Sequence, residues 1–540
     1  MTLTIARSGE WRWSLFAVLI ALPTVAVLFV VLSGLWGGSP DDTEHLVQYV
    51  LPRVIPNTLM LVVIVVLCTT VIGTACAALV EFCQFPGRRV LQVMLLLPLS
   101  FPGYVLAFIY LGLFDYSGPV QSTTRAFGLS LHDLFGSALP GVSFVLTLAL
   151  FPYVYMLART GFASQGRRAF EVASSCQMSP MQAFRRAVLP LSMPWIAAGA
   201  LLVAMETLAD FGTVAVFNYD TFTTAIYKTW FGLFSLQGAL KLASLLLLLV
   251  AVFVVIERYF AVRRRRTSQA WGEPTRFCLS TARGWSVTTL LSLIVFAGFL
   301  VPIAQLFLWA FGAGLAEWNS GYWKLVRSSV LLGMTSAVLI AVTSLLLVFA
   351  QRRHKNVMTR MAVRIAGLGY ALPGTLLAVG VFFAVIQTGK GLSALVGGSL
   401  AIQSVFSAGL AVTVLAYLVR FSAVALGTLE NGLLRVPPSF DDAGRQFGRD
   451  GLGLLQFVHL PLLRPSLLAA MLLVFVDVLK EMPITLMTRP FGWDTLAVRV
   501  FERTAEAQWV EAAPAALLIV LVGFIPVLLL TRKMTHATSH

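Results

Sequence analysis

Four carboxylates stand out in stretches that otherwise read as apolar. Glu206 and Asp210 lie in METLADFGTV, and Asp477 and Glu481 lie in VFVDVLKEMPIT. Each pair is spaced four apart, so on a helix both members share a face. Carboxylates are hard oxygen ligands, suited to a hard cation. Ionisable groups inside a membrane face the bundle interior or a cavity. These pairs are therefore candidates for transient contact with a cation in transit, without a tight metal site. The sequence also holds a simpler reading. Lys480 adjoins Glu481 and stands one turn from Asp477, so that group can neutralise itself. Acids near an outer face can also fix helix packing or meet an external protein.

Other chemistry is missing from the chain. There is no G-x-x-x-x-G-K-[ST] phosphate loop. Asp210-Phe211-Gly212 spells the magnesium-binding triplet of protein kinases, but no glycine-rich loop or H-R-D segment accompanies it. Cys68, Cys76, Cys83, Cys176 and Cys278 form no CxxC pair, so no zinc site or disulfide framework is indicated. No catalytic residue and no cofactor site emerges.

The elements that must position the acids are membrane spans. The chain has 540 residues, 58% hydrophobic and 12% charged, against roughly a quarter charged in soluble domains. Its apolar residues come in blocks of about twenty, enough to cross hydrocarbon as helices. Spans are expected near 13–35, 58–80, 91–114, 141–157, 191–217, 239–256, 285–311, 329–350, 365–386, 400–419, 462–487 and 513–530. The first follows Arg7 and Arg12, and its apolar core is longer than a signal peptide's. The net charge of +15 reflects membrane orientation rather than nucleic-acid binding, because 28 of the 39 Lys and Arg fall in or beside alternate loops. Both termini are then cytoplasmic. Counting about 1.5 Å per residue from Pro190 places Glu206 roughly 24 Å along its helix, in the outer half of the bilayer.

An internal repeat organises these spans. Glu171 to Pro190, EVASSCQMSPMQAFRRAVLP, matches Asp442 to Pro461, DAGRQFGRDGLGLLQFVHLP, at an offset of 271. The same offset carries Pro102-Gly103 onto Pro373-Gly374, Glu206 onto Asp477 and Asp210 onto Glu481. The expected architecture is an all-α polytopic membrane protein of about twelve transmembrane helices in two parallel six-helix repeats. Residues 1–257 form the first half, 258–284 a cytoplasmic linker and 285–540 the second half. An even number of spans per half keeps both copies of the element on the cytoplasmic face.

Each copy reads as helix, turn, helix. Ser179 and Asp450 are favoured N-cap residues, and Pro180 suits the first helical position. Gly448 suits a left-handed residue ending the preceding helix. Gln177 in the equivalent place costs roughly 1 kcal/mol if it takes that conformation. Met181, Phe184 and Val188 share one face, and Arg185 and Arg186 point elsewhere. Leu189-Pro190 and Leu460-Pro461 are expected to close the short helix.

This element resembles the cytoplasmic signature of permeases in binding-protein-dependent ABC importers, Glu-Ala-Ala followed three residues later by Gly, with Leu-Pro ending the twenty. Glu171, Ala173, Leu189 and Pro190 match in the first half. Ala443, Gly448, Leu460 and Pro461 match in the second, with Asp442 in place of the glutamate. Val172, Gln177 and Gly444 depart from it. The resemblance implies the type I ABC importer transmembrane fold, in which each element is a coupling helix docked on an ATPase subunit. ATP and Mg then bind two copies of that partner, this chain being no enzyme. Glu171, Ala173, Gln177, Ser179, Arg185, Arg186, Leu189, Pro190, Asp442, Ala443, Gly444, Gly448, Asp450, Leu460 and Pro461 are the positions that carry the coupling role over.

The stretches ADFGTVAVFNYDTFTTAIYKTWFG and KEMPITLMTRPFGWDTLAVRV resemble the ferric-iron branch, whose two halves are fused in one chain. Ferric iron delivered by a periplasmic binding protein, across a bacterial inner membrane, is what that likeness implies. Thiamine, phosphonate or polyamine permeases share much of the plan. A secondary transporter or a channel would need no ATPase. The aromatic residues Tyr219, Phe222, Tyr227, Trp230, Phe491, Trp493 and Trp509 are expected mostly to form an interfacial belt.

Overall fold

The computed structural model describes residues 2–37, 40–116, 118–126, 138–267, 277–354, 356–396 and 409–537. The first half holds α1 (Thr2–Ser33), α2 (Leu51–Phe82), α3 (Arg88–Met94), α4 (Gly103–Phe114), α5 (Ala138–Ser175), α6 (Pro180–Ala183), α7 (Leu189–Ala209), α8 (Gly212–Val216) and α9 (Leu236–Thr267). The second holds α10 (Thr281–Val295), α11 (Val301–Phe311), α12 (Ser320–Arg353), α13 (Val357–Ala366), α14 (Gly374–Val396), α15 (Leu410–Leu433), α16 (Ser439–Gln446), α17 (Leu452–Leu454), α18 (Leu460–Lys480), α19 (Pro483–Thr488) and α20 (Trp509–Ala537). Among the described residues, eleven helices are long and apolar enough to cross a membrane. A twelfth is a pair, Arg88–Ser100 and Gly103–Arg125, bent by 92°.

That bend corrects the straight third span expected over 91–114. Pro102 cannot donate a backbone hydrogen bond, and Phe101 before it is extended at φ −87°, ψ 126°. The second half breaks alike, with a 3₁₀ turn at Gly369–Ala371 and an extended Leu372 ahead of Pro373. The tenth span also differs from expectation. Over the described residues it runs from Leu410 to Leu433, past the expected end at 419, which places Arg420 inside a helix; residues 400–408 of the expected span lie outside the described residues.

Proline shapes the helix entries in a second way. Five π turns occur among the described residues, and four of them stand immediately before an X-Pro pair: Leu51-Pro52, Leu189-Pro190, Val301-Pro302 and Leu460-Pro461. A π turn shifts the bonding to i→i−5 and widens the coil, as in the Leu189 N–H bond to the Phe184 carbonyl. The wider turn leaves room for a proline ring that would clash with the i−4 carbonyl of a regular helix. Leu189-Pro190 and Leu460-Pro461 therefore do not close a short helix. The helical path runs through them, giving one rod over Pro180–Ala209 and one over Leu452–Lys480.

The chain forms two compact units that differ from the two sequence halves. One comprises residues 1–42, 226–247 and 319–498, and the other 43–225, 248–318 and 499–540. Each is built on three mutually packed helices at equivalent places in the repeat: α12, α15 and α18 in one, α2, α5 and α7 in the other. Small residues let these backbones approach. A Cβ on Gly73 of α2 would lie 2.8 Å from Val154 of α5, and one on Gly199 of α7 would lie 2.9 Å from the Val154 Cα.

Each unit adds the first span of the opposite half. In the first unit α1 packs on α13 and α14 along a buried stripe of Ser14, Ala17, Ala21, Thr24, Val27 and Val31. That spacing follows one helical face. Ser14 lies 3.1 Å from the Thr359 hydroxyl, and Trp13 meets Phe349 edge-on. The outer faces stay apolar: Leu15, Leu19, Leu22 and Phe29 are exposed, as a lipid-facing surface requires. In the second unit α11 packs on α20. The residues just before α10, Phe277–Cys278, pair in parallel with Cys83–Gln84 at the end of α2.

Candidate functional site

The two twenty-residue elements leave their long helices in the same way. At the end of α5, Gln177 takes a left-handed backbone with φ 56°, and the Met178 N–H bonds to the Ala173 carbonyl at 3.1 Å. After α16, Gly448 takes φ 73°, and the Arg449 N–H bonds to the Gly444 carbonyl at 3.0 Å. Both are Schellman-type ends, which favour glycine at the left-handed position. We expect Gln177→Gly to stabilise the first element by about 1 kcal/mol, read as a raised thermal midpoint of the purified protein in detergent. An unchanged or lowered midpoint would remove the strain argument.

Re-entry differs between the copies. Ser179 caps α6 with a reciprocal box: its side chain accepts from the Gln182 N–H at 3.4 Å, and the Gln182 side chain accepts from the Ser179 N–H at 3.1 Å. Pro180 fills the first helical position. In the second copy the cap is Gly451, at φ 55°, rather than Asp450. Asp450 turns away and its carboxylate lies 2.5 Å from Arg353 at the end of α12. Partial burial works against its ionisation, but the hydrogen bond from Arg353, the Gly451 N–H and the nearby cations outweigh it. They hold the Asp450 carboxyl below the usual range. A depressed carboxyl stabilises above its unfolded pKa, and that contribution is lost as pH falls through the folded value. We therefore expect amide exchange at 447–455 to keep its protection from neutral pH into mild acid, and Asp450→Asn to lower it at neutral pH.

One face of each element is buried and the other free. Phe170, Ala173, Ala183 and Val188 are buried in the first, while Val172, Gln177, Ser179, Met181, Arg185, Arg186 and Pro190 are exposed. Met181 thus does not share the buried face of Val188, although the two were expected on one face. The Glu171 side chain lies outside the described residues. In the second, Gly444, Leu454, Leu455 and His459 are buried, and Asp442, Ala443, Phe447, Gly448, Asp450, Leu452 and Pro461 are exposed. Leu189 and Leu460 are half-buried. Gly444, a departure from the signature, has a packing reason: a Cβ there would lie 2.5 Å from Leu454.

The acids sit at breaks in the fifth and eleventh spans. Expected helices over 191–217 and 462–487 instead stop at Ala209 and Lys480 and restart as α8 and α19. The residues at the breaks, Asp210 and Glu481, are equivalent in the repeat, and each caps the helix after it. Asp210 accepts from the Thr213 hydroxyl at 2.8 Å and from the Val214 N–H at 3.2 Å. Glu481 accepts from the Ile484 N–H at 3.2 Å. Each break nests against the proline kink of its own unit. A Cβ on Gly103 would lie 2.5 Å from Thr213 and 3.2 Å from Asp210, and one on Gly374 would lie 2.7 Å from both Arg420 and Glu481. Glycine after the proline thus leaves the space that polar side chains of the break occupy.

Glu481 finds a cation beyond its sequence neighbour Lys480. Its cation is Arg420 of α15, 3.5 Å away, with the Glu481 side chain 7% exposed. A second buried pair, Arg159 with Glu81 at 3.1 Å, joins α5 to α2, and Arg159 also donates to the Gln92 side chain at 3.1 Å. Sequence reasoning assigned Arg159 and Arg420 to loops. Both lie within helices that run further than their apolar cores. Of the aromatic residues expected in the interfacial belt, Tyr219 and Phe222 are buried. Tyr219 donates to the Asn57 carbonyl at 3.2 Å.

A family model described as binding-protein-dependent transport system inner membrane component matches residues 69–268. The chain is 28% identical to a Fe(3+)-transport system permease protein of Haemophilus influenzae, covering 97% of this chain and 99% of that protein. It is 25% identical to a probable ABC transporter permease protein of Sinorhizobium fredii, over 86% of this chain and 84% of that one. A ferric transport system permease protein of Actinobacillus pleuropneumoniae is 22% identical over 85% of this chain and 68% of its own length.

Proposed function

We propose that this chain, which belongs to the family of binding-protein-dependent transport system inner membrane components, carries ferric iron inward as the permease of an ATP-driven importer. One observation carries the mechanical part. Both copies of the twenty-residue element leave a helix through the same left-handed turn, bury one face and free the other. A helix gripped from outside the membrane needs that arrangement. Iron is supported by the near full-length likeness to a permease named for Fe(3+) and by acids at the span breaks.

In this reading two copies of a separate ATPase, each holding its own Mg-ATP, grip the elements at 171–190 and 442–461. Both termini and the 258–284 linker face the cytoplasm. A periplasmic binding protein releases cargo on the outer face. ATPase closure moves the two repeats, 1–257 and 285–540, between inward and outward access. The rods that run from each element into α7 and α18 without a break carry that motion directly to Asp210 and Glu481.

The test is uptake of ferric iron into vesicles with the partner ATPase and binding protein present. We expect uptake to need ATP and to survive an uncoupler. Glu171→Arg with Asp442→Arg should leave the protein in the membrane but release the ATPase and abolish uptake. ATPase retained by that variant, or uptake driven by an ion gradient alone, would overturn the reading. For cargo contact, Glu206→Gln with Asp210→Asn should lower uptake tenfold or more. The introduced asparagine keeps an acceptor for the Val214 N–H, so the cap survives. Normal uptake in that variant and in Asp477→Asn and Glu481→Gln would confine the acids to structural roles.

A further inference from the structure

The repeat places different chemistry at one and the same joint, where the helix before the kink meets the coupling element. In the unit built on α12, α15 and α18 the joint is ionic. Arg352, at the end of α12, lies 2.7 Å from the Asp441 carboxylate and donates to the carbonyls of Leu433 at 3.1 Å, Val436 at 2.9 Å and Pro437 at 3.1 Å. Its neighbour Arg353 lies 2.5 Å from Asp450 in the turn. The other oxygen of Asp441 lies 2.9 Å from His459, a buried ring at the far end of the element, which meets Phe349 of α12 edge-on. Two adjacent arginines thus hold the start and the turn of the element, and Asp441 links them to its end.

Subtracting 271 gives the corresponding residues in the other unit: Glu81, Phe82, Phe170, Ser179 and Val188. Here Phe82 packs on Phe170 with ring centroids 5.1 Å apart and on Phe184 of the element at 6.2 Å. Phe162 completes the cluster, 5.3 Å from Phe82 and 5.9 Å from Phe184. Val188 is fully buried where the other copy has His459. Glu81 turns away to Arg159, and Ser179 is engaged in its own capping box. The charges at the two positions are also exchanged: Glu81 and Arg159 correspond to Arg352 and Glu430, which line one cleft.

We infer that Arg352 and Arg353 are positioning residues for the second coupling element, and that Phe82 and Phe170 do the same work for the first. Among the described residues the second element is held by charge and the first by aromatic packing, so the second is the one that loosens with salt. Salt screens exposed pairs such as Arg353 with Asp450 most strongly, and it does not weaken aromatic contacts. The inference rests on the proposed reading of these elements as ATPase contacts only for its consequence in transport. The positioning itself is a property of the permease alone.

The experiment is hydrogen–deuterium exchange on the purified full-length permease in nanodiscs. Raising KCl from about 0.05 to 0.5 M should speed exchange of amides in 439–455 several-fold and leave 176–188 unchanged. Arg352→Gln should do the same at low salt by about tenfold, Arg352→Lys should restore part of the protection, and Phe82→Ala should loosen 176–188 only. Equal responses of both elements to salt, or no response of 439–455 to Arg352→Gln, would overturn the inference. The wild-type salt series decides the matter even if a variant fails to fold. With the ATPase added, Arg352→Gln should raise the ATP hydrolysed per ion transported several-fold. Failure of the wild-type permease to bind the ATPase, with the salt response intact, would instead count against the proposed function and leave the positioning standing.

Discussion

Replacing Gly369 by alanine should abolish recovery of folded protein. A Cβ at this position would lie 1.8 Å from the carbonyl oxygen of Val419 and 2.6 Å from its carbonyl carbon. Both atoms belong to the backbone of α15, so no side chain can swing aside. Gly369 itself sits in the 3₁₀ turn between α13 and α14, fixed by Pro373 four residues on. Relief requires α13 and α15 to separate, which opens packing along the kink and shifts Arg420, one residue beyond Val419. Overpacking of ordinary core sites costs about 1–3 kcal/mol, and a clash of backbone with backbone should exceed that. The measurement is the yield of monodisperse protein and its thermal midpoint in detergent. Gly427→Ala is the control on the same helix α15, where a Cβ meets nothing within 4 Å, and it should match or exceed the wild type. A Gly369→Ala protein with a normal midpoint would mean that this crossing is looser than described.

The second large effect is expected at the buried pair. Arg420→Met should destabilise by about 3–5 kcal/mol, the usual consequence of leaving one buried charge without its partner. Glu481→Gln alone should also destabilise, because it leaves Arg420 buried without an anion. The double variant should recover most of the loss. The introduced glutamine can still accept from the Ile484 N–H through its carbonyl oxygen, and the introduced methionine fills the arginine's volume. Additive losses in a double-mutant cycle would show that the 3.5 Å contact carries no coupling. The double variant has a second use: it is the form in which Glu481 can be removed from transport with most of the stability kept. Normal uptake by it would restrict any cargo contact to the other acids.

Much of this was legible in the chain because strong local rules were at work. The offset of 271 exposed the repeat, and the left-handed demand at Gln177 and Gly448 followed from alignment with a glycine. The kinks at Pro102 and Pro373 and the breaks at Asp210 and Glu481 were harder. An apolar run does not record where its hydrogen-bond ladder is interrupted. Leu189-Pro190 and Leu460-Pro461 misled for the opposite reason, since proline was read as a stop and the chain absorbs it in a π turn. Asp450 is chemically a good cap, but Arg353 competes for it, and that competitor stands 97 positions earlier in the sequence. Arg420 was missed because apolarity sets the span ends by composition, and a helix can continue past its most apolar stretch. Which helix packs on which was not legible at all, because lipid-facing and helix-facing surfaces are both apolar.

The exchange of first spans between the repeats has a consequence for how the protein is made. Helix α1 ends at Ser33, and most of its seat, on α13 and α14, lies from Val357 onward. At about 5–20 residues per second, the ribosome needs roughly 15 to 65 seconds to reach that seat. Through that interval the stripe of Ala17, Ala21 and Thr24 waits without its seat on α13 and α14. The first half therefore cannot mature fully and then wait for the second, and a chain ended at residue 257 would carry an N-terminal helix held only near its end, where Ser244 of α9 donates to the Val31 carbonyl, without its main seat. Birth order along this polypeptide runs against its packing order.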